Sequence, residues 1–166
     1  MVLGLAAPAA ATTIVAPVGS PVPYQRWADE SKVATPQMTL VVDEDAAICA
    51  PKAACTGPGD PIWINPWLAG STFPEIREVF VHELGHHFDY YVMEDWARAR
   101  FQQLVGDPRP WTEDPNAPNE KFAEAYRFCA LVGPRLLAPP TSWGYAYRPY
   151  RNLHAQACHL IRRVAN

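Results

Sequence analysis

Nowhere in this chain of 166 residues do lysines and arginines gather into a block. With a formal net charge of -3 at pH 7 and a pI near 5.9, it offers no basic face of the kind that attracts nucleic acid. No proline-free apolar run reaches the roughly 18 residues that a membrane-spanning helix needs. No CxxC pair occurs, which disfavours a cysteine-ligated metal site, and no internal repeat is present. Charge is also missing from residues 1–23, MVLGLAAPAAATTIVAPVGSPVP. Their small apolar side chains resemble the apolar region of a signal peptide that lacks its positive start. They equally suit an Ala/Pro leader in which Pro8, Pro17, Pro21 and Pro23 oppose a stable helix. On either reading, residues 1–23 are expected to stand outside the fold, leaving 24–166 as one domain.

With 49% apolar residues, a domain of that length can bury its own core. Four cysteines allow three pairings. Cys49 and Cys55 flank a short loop-like stretch, whereas Cys129 and Cys158 fall in two separate predicted helices. Both pairs can meet the short Cα separation a disulfide demands, so Cys49 with Cys55 and Cys129 with Cys158 is the expected connectivity. Two disulfides would place the chain in an oxidising, extracellular setting, either secreted or as a component of a larger particle.

The coarse pattern is a short helix or turn over 24–32, a β-branched strand over 38–43, a tied loop over 43–61 and a brief strand over 61–65. The strongest helix starts at Ser71 or Thr72, where Thr72 and Glu75 have capping-box spacing, and runs through FPEIREVFVHELGHHFDYYV. Ile76, Val79, Phe80, Glu83, His86 and Tyr90 recur at three- and four-residue intervals and share one face. Ionisable groups on an apolar face are costly unless they are used. A helix over 94–105 ends at Gly106, and a Pro-rich acidic loop follows. Asn116 or Asn119 can cap the next helix, EKFAEAYRFCALV, and a last helix covers 149–164.

His82-Glu83-Leu84-Gly85-His86 fits the HExxH pattern. Histidines four apart on a helix lie one above the other and can share one tetrahedral Zn²⁺. Glu83 then faces water at the metal, whose pKa the cation lowers, and can take its proton as general base. A third protein ligand must come from another element. Glu120 and Glu124, four apart on the helix after the Pro-rich loop, are the candidates, one as ligand and the other as a carboxylate bonded to a ligand histidine. His87 points about 100° away from His86, and His154 and His159 are five apart, so all three read as structural.

Together, HELGHHFDYY and NEKFAEAYRF resemble the zinc-binding helices of the gluzincin peptidases, in the branch that holds the catalytic domain of anthrax lethal factor and the Pro-Pro endopeptidases. The resemblance covers about 60 residues. It implies one catalytic Zn²⁺ held by His82, His86 and Glu120, with Glu124 and Asp89 supporting from behind. It also implies an α+β, zincin-like domain with a small sheet packed on the active-site helix and further helices C-terminal to it. That branch has a tyrosine shortly before the third ligand, whereas residues 106–119 contain none. Oxyanion support is therefore sought among Trp111, Thr112, Tyr145, Tyr147, Tyr150 and His154. Among the aromatics, Tyr90, Tyr91, Trp63 and Trp67 read as core, with the strand around Ile62 to Ile64 expected to line the substrate cleft. The expected activity is hydrolysis of a protein or peptide substrate, by endopeptidase rather than exopeptidase action. Two alternatives stand beside it, an amidase acting on cell-wall peptides with the same metal site, and a non-catalytic module that zinc stabilises.

Overall fold

The computed structural model describes residues 12–17, 19–45, 47–68, 73–112, 117–135, 147 and 151–165. In chain order these form β1 (Thr13–Val15), α1 (Pro21–Asp29), β2 (Thr39–Asp43), β3 (Ala54–Cys55), β4 (Ile62–Ile64), α2 (Phe73–Tyr91), α3 (Asp95–Val105), α4 (Pro118–Leu131) and α5 (Arg151–Val164). The result is an α+β fold with one small mixed sheet and five helices among the described residues.

Alternation builds the sheet. Leu40 and Val42 on β2 and Ile62 and Ile64 on β4 are buried on one face. Strand order is β1-β2-β4-β3, with β1 and β4 parallel to β2 and β3 antiparallel to β4 at the edge. Helix α2 packs on β3 and β4, α4 packs on α2, and α5 packs on α3 and α4. Aromatic rings lock these layers together. Phe80 of α2 sits against Tyr24 and Trp27 of α1, and Phe88 meets Phe122 and Tyr126 of α4. Among the described residues no helix is long and apolar enough to cross a membrane.

Both expected disulfides form, Cys49 with Cys55 and Cys129 with Cys158. Several boundaries differ from the sequence pattern. Residues 13–15, set apart with the leader, pair with β2, and Thr12 and Ile14 are buried. α1 begins at Pro21, not Tyr24, because Ser20 caps it and prolines are tolerated in a first turn whose N–H groups lack helical partners. The expected capping residue Thr72 lies outside the described residues, as does Asn116. α4 starts after Ala117 with Pro118 in its first turn, which places Asn119 inside the helix rather than at its cap. Gly106 ends α3 as expected, at φ 64 in the left-handed region that glycine adopts without a Cβ penalty.

Candidate metal centre

Helix α2 carries His82 and His86 one turn apart, their ring centroids separated by 5.0 Å and both side chains buried with Glu83. α4 crosses α2 at Gly85. A Cβ there would lie 2.9 Å from Ala123 Cα and 3.0 Å from its carbonyl oxygen, so only glycine permits this approach without a shift. Ala123 is flanked by Glu120 and Glu124, and the close crossing delivers both carboxylates to the histidines. Glu120 Oε2 is 3.2 Å from His82 Nε2 and 3.4 Å from His86 Nε2. One ligand atom from each of the three residues lies within 4.8 Å of the other two, so this buried group could hold a metal ion.

The opposite side of His82 is also engaged. Its Nδ1 lies 3.3 Å from Glu124 Oε2, and a neutral ring that donates there turns its Nε2 lone pair toward Glu120. Glu124 is itself held by two bonds from Arg127, at 2.9 and 2.7 Å, and Arg127 reaches Glu78 at 2.7 Å. His86 Nδ1 is buried with no hydrogen-bond partner among the described residues.

These contacts set the protonation of the metal-free group. Burial opposes a charged His82, but hydrogen bonds to Glu120 and Glu124 and the nearby Glu83 and Glu120 charges outweigh it and push the imidazole up to about 9. Burial would raise Glu120, yet its bonds to His82 and His86 hold it down to about 2. Glu83 is pushed up, chiefly by burial, against the pull of the two imidazoles.

Other expected positions fall elsewhere. Asp89 does not support a ligand histidine: its oxygens accept from Arg98 Nε at 2.8 Å and Trp111 Nε1 at 2.7 Å, which ties α2 to α3 and to the segment after α3. That also removes Trp111 from the oxyanion candidates. Tyr147 is buried between Phe101 and Phe128 with its hydroxyl on His154, so neither faces the histidine pair. Tyr145 and Tyr150 lie outside the described residues. His87 is structural, as expected: Thr56 donates to Pro61 O, so its hydroxyl accepts from His87 Nε2 at 2.7 Å. Exposed His159 stands apart on α5. Cys129, His154 and Cys158 also gather, but both sulfurs are spent on the disulfide.

Two small cavities flank Glu83. One, of about 50 Å³, is lined by Ala53, Ala54, Glu78, Val79, His82 and Arg127, among others. The other, of about 30 Å³, is lined by Lys52, Ala54, Cys55, Thr56, His86, Tyr90 and Glu120 with Glu83. The strand along the centre is thus β3, not the β4 segment Ile62–Ile64, whose isoleucines are turned into the core. Arg127 escaped the sequence reading although it lies three residues after Glu124, a helical pairing distance. Lys52 and β3 carried no local signal.

Fold and side chains together define an α+β domain with a buried His82, His86 and Glu120 group able to hold a metal ion. No family model, no curated protein and no solved structure matches the chain.

Proposed function

We propose that this chain is a zinc-dependent metallopeptidase with Glu83 as general base, acting in an extracellular setting. The observation that carries the reading is the convergence of His82 Nε2, His86 Nε2 and Glu120 Oε2 in a buried group with Glu83 alongside. Two imidazoles and one carboxylate form the donor set of a catalytic zinc site that keeps a position open. When bound, zinc acts as a Lewis acid toward a carbonyl and toward water.

The remaining chemistry belongs to the chain. Glu124, fixed by Arg127, orients His82 and keeps its Nδ1 proton in place. Buried Glu83 is a stronger base than an exposed carboxylate, so it is suited to take a proton from water at neutral pH and return it to the leaving amine. β3 is an edge strand beside Glu83, and an unpaired edge can hold an extended peptide, which favours endopeptidase action. The order of sheet, α2 and α4 supports the zincin-like reading, and two disulfides suit secretion.

The test pairs metal analysis with hydrolysis of a peptide library. Wild type should bind one zinc and cleave, and Glu83→Gln should keep the zinc and lose hydrolysis. An unchanged rate in that variant would remove Glu83 from its role.

A further inference from the structure

Helices that pack together turn apolar stripes inward. α3 and α5 bury Ala97 and Phe101 on one helix and Ala157 and Ile161 on the other. Beside those stripes the same two helices leave an open groove of about 530 Å³. Trp96, Arg100 and Leu104 line it at four-residue steps along α3, and Gln156, Leu160 and Arg163 line it from one face of α5. Leu160 is buried and Leu104 half-buried, whereas both arginines are exposed. The groove therefore joins an apolar base to two permanent positive charges.

Among the described residues no aspartate or glutamate lines it. That is a local reversal in a chain whose formal net charge is -3. Arg163 lies over the Trp96 ring, 5.4 Å from its centroid, and Arg100 donates to the neutral Gln103 at 3.3 Å. Neither guanidinium is paired with a carboxylate among the described residues. The acids next to Trp96 in the chain are engaged, Glu94 by the Trp96 indole at 2.7 Å and Asp95 by Arg98 at 3.1 Å.

The spacing narrows what can enter. Arg163 is stationed at Trp96, Arg100 is one turn farther along α3 and Leu104 one turn beyond that, in steps of about 6 Å. Alternate side chains of an extended peptide point the same way at steps of about 7 Å. A segment reading Glu-x-Glu-x-Leu can thus set one carboxylate on each guanidinium, which offers two parallel N–H donors, and its leucine against Leu104. Two arginines in a concave site neither track a phosphate backbone nor meet a flat bilayer.

We propose that the α3/α5 groove is a docking site for an acidic, extended segment of a partner polypeptide. It shares no lining residue with the cavities beside Glu83, so the proposal does not rest on the metallopeptidase reading.

The test is fluorescence anisotropy of a labelled Ser-Glu-Ser-Glu-Ser-Leu-Ser peptide with the full chain. Wild type should bind with a Kd of about 10–100 μM in about 50 mM salt and more weakly as salt rises. The same peptide with glutamine for both glutamates should bind at least about 20-fold more weakly, and Arg100→Gln and Arg163→Gln should each cost about fivefold. Both arginines are exposed, so urea midpoints should stay at the wild-type value and separate lost docking from lost folding. Arg26→Gln removes the same charge from α1 and should stay within about twofold of wild type, as should Glu83→Gln. The assignment is overturned if wild type does not bind, if the glutamine peptide binds as well, or if Arg26→Gln loses as much as the groove variants. A loss in Glu83→Gln would place the peptide at the metal centre instead and equally overturn it. So would phosphatidylserine vesicles or single-stranded DNA that engage the same two arginines more tightly than the peptide does.

Discussion

His82 uses both ring nitrogens, one toward Glu120 and one toward Glu124, and the two contacts make different predictions. Replacing Glu120 removes a donor from the group, whereas Glu124→Gln leaves the donors in place and loosens the orientation of one. Zinc affinity should therefore fall by about 10- to 100-fold in Glu124→Gln and by clearly more in Glu120→Ala, as read by competition with a chromophoric chelator. A reversed order would mean that the assignment of the two glutamates is wrong by one helical turn. Protons compete for the same group. With its imidazole pushed up to about 9, metal-free His82 is charged at pH 7, and a ligand histidine must be neutral. Zinc uptake at pH 7 should release about one proton, measured as the dependence of calorimetric heat on buffer ionisation enthalpy, and affinity should rise with pH up to about 9. Of the residues around this centre, His82, Glu83 and His86 on α2 and the pair Glu120 and Glu124 on α4 were legible because helical spacing relates residues on one element, whereas the choice of Glu120 as the ligand came only from the resemblance to the gluzincin helices. Asp89 was misassigned because its partners, Arg98 and Trp111, come from segments whose packing no local spacing encodes.

Between elements, the α2/α4 crossing at Gly85 decides whether those side chains meet. Alanine in place of a mid-helix glycine ordinarily adds about 1 kcal/mol of stability. Here the new Cβ would press on the Ala123 backbone at 2.9 Å, which cannot swing aside as a flexible side chain would. Overpacking costs about 1–3 kcal/mol, so the net effect of Gly85→Ala should be destabilising, with zinc affinity lowered as Glu120 is pushed away. Urea unfolding and metal titration check both. His87 joins α2 to the loop before β4 through Thr56, and it is pinned as the neutral Nε2–H tautomer with Nδ1 buried and without a hydrogen-bond partner among the described residues. Burial first, and the neighbouring His86 second, lower its pKa to about 4. The unfolded chain binds a proton on this histidine below about pH 6.5, while the folded chain does not until about pH 4, so stability is lost as pH falls through that window. The loss approaches about 3 kcal/mol at pH 4. His87→Gln should flatten that part of the wild-type profile of metal-free protein; an unchanged slope between pH 6.5 and 4.5 would refute the assignment. The helices themselves were readable from periodicity and caps. The leader's strand and the early start of α1 were not, because β1 exists only by pairing with β2 and prolines read as breakers wherever a helix start is not recognised.

Across the whole molecule, the two disulfides divide the labour between stability and the centre. Cys129–Cys158 spans 29 residues and clamps α4 to α5 with both cysteines fully buried, away from Glu83. Cys49–Cys55 spans only 6, but Cys55 belongs to the edge strand that lines the cavity beside His86 and Glu120. Loop-closure entropy assigns about 3.5 kcal/mol to the longer bridge and about 2 kcal/mol to the shorter, before the cavity that two truncated core sulfurs would add to the former. Stability and activity should then separate. Replacing Cys129 and Cys158 by alanine should lower the urea midpoint more, yet leave zinc affinity and KM close to wild type at temperatures where the chain stays folded. Replacing Cys49 and Cys55 should cost less stability but free β3 from its tether, raising KM for peptide substrates while zinc stays bound. The opposite pattern, with KM following the α4–α5 bridge, would mean that the edge strand is held by β4 pairing alone and that the short bridge contributes nothing to how a peptide is received.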